Sequence, residues 1–245
     1  MKLSYLRQAP IVLVALALLA VAGPPSASAT STPAPGYEQF TGCPHPGEKP
    51  EIVTCFRETF TGGEMQLGNI EFPIANPVKL IGGQTAAGTF HFNAFGGLLP
   101  AKQPVPGGVV GFTGFTWLEE YFGPEALLLY AQIELAGSPG DQLTEPATLP
   151  VKIRFVNAAL GTKCYVGSNA NPIVLNLIAG MSGEYVDSSF AVPGANGCFL
   201  TLFGFPPLAI NGVIDTRMGL PSPGGSNQAV LNFNTETAAA ATVYP

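Results

Sequence analysis

The side chains that could do chemistry in this chain are few. They are four cysteines (Cys43, Cys55, Cys164, Cys198), two histidines (His45, His91) and sixteen Asp and Glu. A Ser-His-Asp relay needs a histidine beside a serine on a tight strand-to-helix turn, and no GxSxG occurs; "GMSG" at 180–183 has the wrong spacing. His45 lies in the proline-flanked "CPHPG", and His91 alternates with Phe90 and Phe92 in "TFHFN", so both read as structural or surface histidines. The cysteines contain no CxxC pair, and an oxidising compartment would remove the thiolates that zinc requires. "GSPGDQLTEP" at 137–146 offers Asp141 and Glu145 without the ligand series of a calcium loop. No metal, cofactor or catalytic residue is expected.

Carboxylates alone can hydrolyse glycosides if two of them stand about 5 to 9.5 Å apart. Glu58 and Glu64 flank the turn signal "TGGE", Glu119 and Glu120 are adjacent, and Asp187 and Asp215 stand alone. Each reads most simply as a solvated turn or helix face. The most distinctive local chemistry is "GFTGFTWLEEYFG" at 111–123, with Phe112, Phe115, Trp117, Tyr121 and Phe122. Exposed rings there could stack on sugars or dock an apolar partner. In a helical turn, Trp117 pairs with Tyr121 and Leu118 with Phe122, so one pair must face inward. The bland alternative is a lid over the end of a core, and Trp117, Tyr121 and Phe122 are the candidate binding surface.

These residues must be held by a scaffold, and the chain's ends define where it starts. Lys2 and Arg7 precede the apolar run "IVLVALALLAVA" (11–22), and Ala27-Ser28-Ala29 supplies small residues for cleavage. That is the pattern of a signal peptide removed after Ala29; its apolar run is too short for a bilayer-spanning helix of about 20 residues. Residues 30–37 read as a flexible leader and 38–245 as one domain, secreted and with no transmembrane segment. Without Lys2 and Arg7, eight of the ten basic residues remain against sixteen acidic, a net charge of −8. Nucleic acid is an unsuitable partner, since phosphate binding needs clustered Lys and Arg.

Glycines and prolines, 30 and 24 in number, interrupt the chain often enough for short strands rather than long helices. Strands are expected at 52–60, 64–67, 77–81, 88–95, 107–112, 128–135, 149–156, 163–167, 172–180, 184–192, 228–234 and 239–244. In "LLYAQIEL", Ala131, Ile133 and Leu135 would face a core while Tyr130, Gln132 and Glu134 face water. Helical turns are expected at "WLEEYF" (117–122) and "INGVIDTRM" (210–218). The fold class is all-β: an antiparallel two-sheet sandwich of Greek-key character with one or two short helical turns.

"PVKLIGGQTAAGTFHF" (77–92) aligns without gaps on "PVKIRFVNAALGTKCY" (150–165), and "VPGGVVGF" (105–112) echoes "VPGANGCF" (192–199). A strand–turn–strand unit used twice is the natural reading, with His91 in one copy where the other has Cys164. An even number of cysteines in an exported chain implies two disulfides. Of the three connectivities, entropy does not choose, because longer loops gain only about 1 kcal/mol more per bridge. Proximity favours Cys43–Cys55 and Cys164–Cys198: "TGCPHPGEKPEIVTC" reads as a loop returning onto its own strand, and Cys198 follows the turn "PGANG".

"LPVKIRFVNAALGTKCYVGSNANPIVLNL", "FAVPGANGC" and "GLPSPGGSNQAVLN" together resemble a group of secreted actinobacterial proteins with no assigned activity, as do "GEMQLGNIEFPI" and "ELAG". The resemblance spans about Cys43 to Asn232 and implies a shared exported fold with the second cysteine pair; it carries over no ligand and no catalytic residue. The expected role is non-catalytic: a secreted or cell-envelope-associated protein acting through surface contacts with envelope polysaccharide or protein. The alternatives are a carrier of a small apolar molecule and a carboxylate-dependent hydrolase.

Overall fold

A computed structural model describes residues 32–92, 97–180, 182–202, 204 and 206–245, apart from the side chain of Glu125. The expected signal peptide therefore lies outside the described residues, as do 93–95 of the strand expected at 88–95. The long strand β1 (Ile52–Leu67) turns at Gly68-Asn69 into β2 (Ile70–Pro73), followed by β3 (Val78–Thr85), β4 (Phe90–His91), β5 (Gly97–Leu99) and β6 (Lys102–Pro104). Two short helices come next, α1 (Gly108–Thr113) and α2 (Trp117–Phe122), with a 3-10 turn at Pro124–Leu127. The second half holds β7 (Tyr130–Leu135), β8 (Ala147–Val156), β9 (Cys164–Val166), β10 (Ile173–Ala179), β11 (Glu184–Asp187) and β12 (Ala195–Asn196). It closes with β13 (Phe199–Leu200), β14 (Leu208–Ala209), α3 (Asn211–Met218), β15 (Gln228–Ala239) and α4 (Ala240–Val243).

Thirteen of these strands join in one antiparallel sheet, and β13 with β14 forms a small second one. Hydrogen bonding runs continuously through β3, β1, β15, β11, β10, β8 and β7. The segment from β5 to β6 ties the two margins together: Leu98 pairs with Leu80 of β3, and Gln103 pairs with Ala131 of β7. The sheet is thereby curled around its own apolar face. β8 shows why, since Ala147, Leu149, Val151, Ile153 and Phe155 are buried while the residues between them are half-buried. Period-2 alternation puts one set of side chains inside, and each large one buried is worth about 1.5–3 kcal/mol. In β7, Ala131 and Ile133 are buried as the alternation requires, whereas Leu135 is only half-buried.

Several expected elements take a different form. "TGGE" is no turn: β1 runs through it, with a register shift against β15 between Phe60 and Gly62. Glycine pairs signal bulges as well as turns, and here the bulge lets a 16-residue strand bend with the sheet. "GGVVGF" forms α1 rather than a strand, because Val109 and Phe112, three residues apart, both bury into the core. The last expected strand is replaced by the end of β15 and by α4, whose Val243 packs with Tyr244 in a satellite cluster with Phe40, Ile52 and the first cysteine pair. α2 and α3 form where expected.

The two aligned segments both make antiparallel pairs, β3 with β4 and β8 with β9, but their registers differ by one residue. His91 pairs with Gly83, whereas Cys164 pairs with Phe155, which aligns with Gly82. A slip of one residue reverses the faces. His91 is consequently half-exposed and Cys164 is fully buried, where it can reach Cys198. The shorter echo has no structural counterpart, since 105–112 leads into α1 and 192–199 contains β12.

Candidate functional site

α2 is built by an inward stripe. Leu118 is fully buried, and Phe122 packs half-buried against the main core. One turn of helix then fixes the opposite pair: Trp117 is 45% exposed and Tyr121 is 53% exposed. Preceding residues anchor the segment, with the Phe112 ring 4.3 Å from that of Phe155 and fully buried. Phe115 stacks beneath Trp117 at 6.0 Å and 29°, and Tyr121 meets Phe122 edge-on at 4.8 Å. The outward rings are thus backed by aromatic neighbours, which limits their rotation. Glu119 and Glu120 are exposed on the same short helix. The 3-10 turn after α2 is held by Asn157, whose Nδ2 donates to the carbonyls of Ala126 and Leu128 at 2.8 and 2.7 Å.

Glu58 and Glu64 lie six residues apart on the single strand β1, a separation of about 20 Å along an extended chain, far beyond a glycosidase pair. Asp187 is committed to backbone support, accepting from Asn176 N, Ser189 N and Ser189 Oγ, each at 2.7 Å. Asp215 on α3 accepts from Ala195 N at 2.6 Å. Asp141 accepts from Gln84 and from Leu143 N, and these and further hydrogen bonds hold its carboxyl below the ordinary range against the opposing effect of burial.

Glu58 differs from the solvated group expected. It shares the inward face of β1 with Phe56 and Phe60 and is completely buried. Burial pushes its pKa up to about 7, although the Tyr185 and Thr235 hydroxyls favour the charged form. Thr235 Oγ1 donates to Oε1 at 3.2 Å, while Oε2 has no partner among the described residues. Tyr185 itself is stacked on Phe233, centroids 3.8 Å apart and 13° from parallel. The alternation of Phe56, Glu58 and Phe60 along β1 is the sequence signal for this placement, since "TGGE" is strand and not turn.

His45 is a loop residue: its Nδ1 accepts from Gly47 N at 2.9 Å, and its ring meets Tyr244 edge-on at 4.9 Å. The cysteines form Cys43–Cys55 and Cys164–Cys198, the local pairs expected. Among the described residues no three His, Cys, Asp or Glu gather in a metal-sized group, and no helix is long and apolar enough to cross a membrane. Between the walls of the sheet, Phe60, Met65, Val78, Leu98, Leu175 and Leu231 enclose about 10 Å³ of free volume, roughly the limit for one water. The chain matches no protein-family model, no curated protein and no solved structure.

Proposed function

We propose that this is an exported, non-catalytic protein that binds cell-envelope polysaccharide through the outward face of α2. The observation that supports this reading is the exposure of Trp117 and Tyr121 one helical turn apart on an anchored helix. Aromatic faces suit the apolar C–H faces of sugar rings, and the neighbouring Glu119 and Glu120 carboxylates can accept sugar hydroxyls. Two disulfides are consistent with an extracellular or secreted setting, and the leader pattern before Ala29 and the resemblance to secreted actinobacterial proteins agree with it. We read the curled ladder as a flattened sandwich of Greek-key character, β1, β3 and β15 facing β7, β8 and β10, because side chains from both groups meet in one core. The apolar-carrier and hydrolase alternatives gain no supporting observation among the described residues.

Retention of the mature protein on isolated cell-wall polysaccharide tests the proposal. Replacing Trp117 and Tyr121 together by Ala should weaken retention about tenfold or more, a loss of at least about 1.4 kcal/mol, with the protein still folded at the assay temperature. A wild-type protein that no envelope polysaccharide retains, or a double variant retained equally well, would sink it.

A further inference from the structure

We propose a second site, independent of α2: a pocket between β9 and the 168–171 turn that takes a hydroxylated carboxylate of single-sugar size, such as a hexuronate. Its free volume is about 310 Å³, at the small end of ligand pockets, and Lys152, Lys163, Tyr165, Ser168, Asn169 and Asn196 line it.

The charge distribution is the first argument. Beyond Arg7 the chain has eight basic residues, and three of them, Lys152, Arg154 and Lys163, lie on the paired strands β8 and β9 or the residue just before β9. Among the described residues, the acid that forms ion pairs with this group is Glu134, 3.8 Å from Lys152 and 3.9 Å from Arg154. Three cations against one carboxylate leave a local positive charge in an otherwise acidic protein. Lys163 has no ion-pair partner among the described residues.

The second argument is which hydrogen-bonding groups are already used. Lys152 Nζ donates to Asn169 Oδ1 at 2.8 Å and lies 5.2 Å over the Tyr165 ring. That leaves Asn169 Nδ2 as a donor. Ser168 Oγ accepts from Asn171 N at 3.1 Å, so its hydroxyl hydrogen remains to be donated. Asn196 Nδ2 donates to Gly167 O at 2.8 Å, leaving Oδ1 as an acceptor. With the Lys163 ammonium, the unspent groups include three donors and one acceptor, beside the remaining N–H of Lys152 and of Asn196 Nδ2. They fit an anion that carries a neighbouring hydroxyl better than a neutral sugar or a bare phosphate.

The third is rigidity. Cys164 and Cys198 are bonded directly behind Lys163, and Asn196 pairs with Tyr165 across β12 and β9. Gly197 holds φ +66, and a Cβ there would fall 2.3 Å from the Lys163 carbonyl oxygen, so only glycine allows this approach. The lysine and the amides are therefore held together before any ligand arrives.

Titration of the isotope-labelled, disulfide-intact protein with glucuronate, followed by amide NMR, tests the site. Saturable shifts are expected at Lys163, Ser168, Asn169 and Asn196, weakening with added salt. Lys163→Ala should weaken them about tenfold or more, since hydrogen bonds to charged groups are the stronger ones. Lys49→Ala, far from the pocket in sequence and outside its lining, should change nothing. Parallel titrations with glucose, inorganic phosphate and a uronate-containing oligosaccharide separate the sources; oligosaccharide binding equal to the monomer's or tighter would mark a polymer end as a source. No saturable shift at these amides, an unchanged response in Lys163→Ala, or equal binding of glucose or phosphate would overturn the assignment. Trp117→Ala leaves this titration unchanged, so failure here and failure at α2 are distinguishable.

Discussion

Thr235 Oγ1 donates to Glu58 Oε1 at 3.2 Å across the β1–β15 ladder, while Oε2 of this buried carboxyl has no partner among the described residues. Removal from water outweighs the help of the Tyr185 and Thr235 hydroxyls, so the neutral form is favoured and the folded pKa rises from 4.5 to about 7. The unfolded chain ionises first as pH rises, and the folded protein follows only near pH 7. Glu58 therefore lowers stability progressively from pH about 4.5 to about 7 and by a constant amount above, on the order of 3 kcal/mol in total. Glu58→Gln should remove that slope. Denaturant titrations at pH 4, 6 and 8 check it: the difference between variant and wild type should grow in favour of Gln from pH 4 to pH 8, and a pH-independent difference would show that Glu58 titrates normally.

The β1–β2 turn carries the next expectation. Gly68 has φ +58, and a Cβ there would lie 2.1 Å from the Met218 carbonyl oxygen, the same oxygen that accepts from Asn69 N at 2.7 Å. α3 thus ends with its carbonyl seated on the hairpin. Gly68→Ala meets both an unfavourable φ and a backbone clash, so a cost of about 2–4 kcal/mol is expected. Chemical denaturation measures it, and a loss below 1 kcal/mol would mean that α3 moves away freely.

The two disulfides differ in what they hold. Cys43–Cys55 belongs to the satellite cluster with Phe40, Ile52, Val243 and Tyr244, and Tyr244 hydroxyl donates to Cys43 O at 3.0 Å. Cys164–Cys198 is embedded in the main core. Loop-closure entropy assigns them about 3 and about 4 kcal/mol, for loops of about 13 and about 35 residues. Hydrogen exchange should therefore separate Ser-for-Cys pairs. Without Cys43–Cys55, the start of β1 and α4 should lose protection while β8 and β10 keep it. Without Cys164–Cys198, protection should fall throughout the sheet. Equal, global loss in both variants would contradict the division into two clusters.

Much of this was legible from local pattern. β8 alternates cleanly, and helix punctuation at Gly219 marks the end of α3. The local cysteine pairs follow from the turns that precede Cys55 and Cys198. What the sequence concealed lies in ambiguities of glycine and in pairings distant along the chain. "TGGE" and "GGVVGF" each hold a glycine pair, yet one became a bulge and the other entered a helix, because only tertiary packing decides between them. The one-residue register difference between the aligned segments cannot be read from their alignment, and it determines whether His91 or Cys164 faces inward. Lys152, Lys163, Asn169 and Asn196 converge only once β9 has paired with both β8 and β12.

The assignment of α2 as a presented surface requires that its outward rings contribute little to folding. Phe112 is fully buried against Phe155, so Phe112→Ala removes a core ring and should cost about 3–5 kcal/mol. Trp117 retains almost half of its accessible surface and Tyr121 more than half, so Trp117→Ala and Tyr121→Ala should each stay within about 0.5 to 1 kcal/mol of wild type. The same equilibrium denaturation series, read at one pH, compares all three. If Trp117→Ala proved as costly as Phe112→Ala, its ring would be part of the core's lid, and loss of polysaccharide retention in that variant would report unfolding instead of a missing contact.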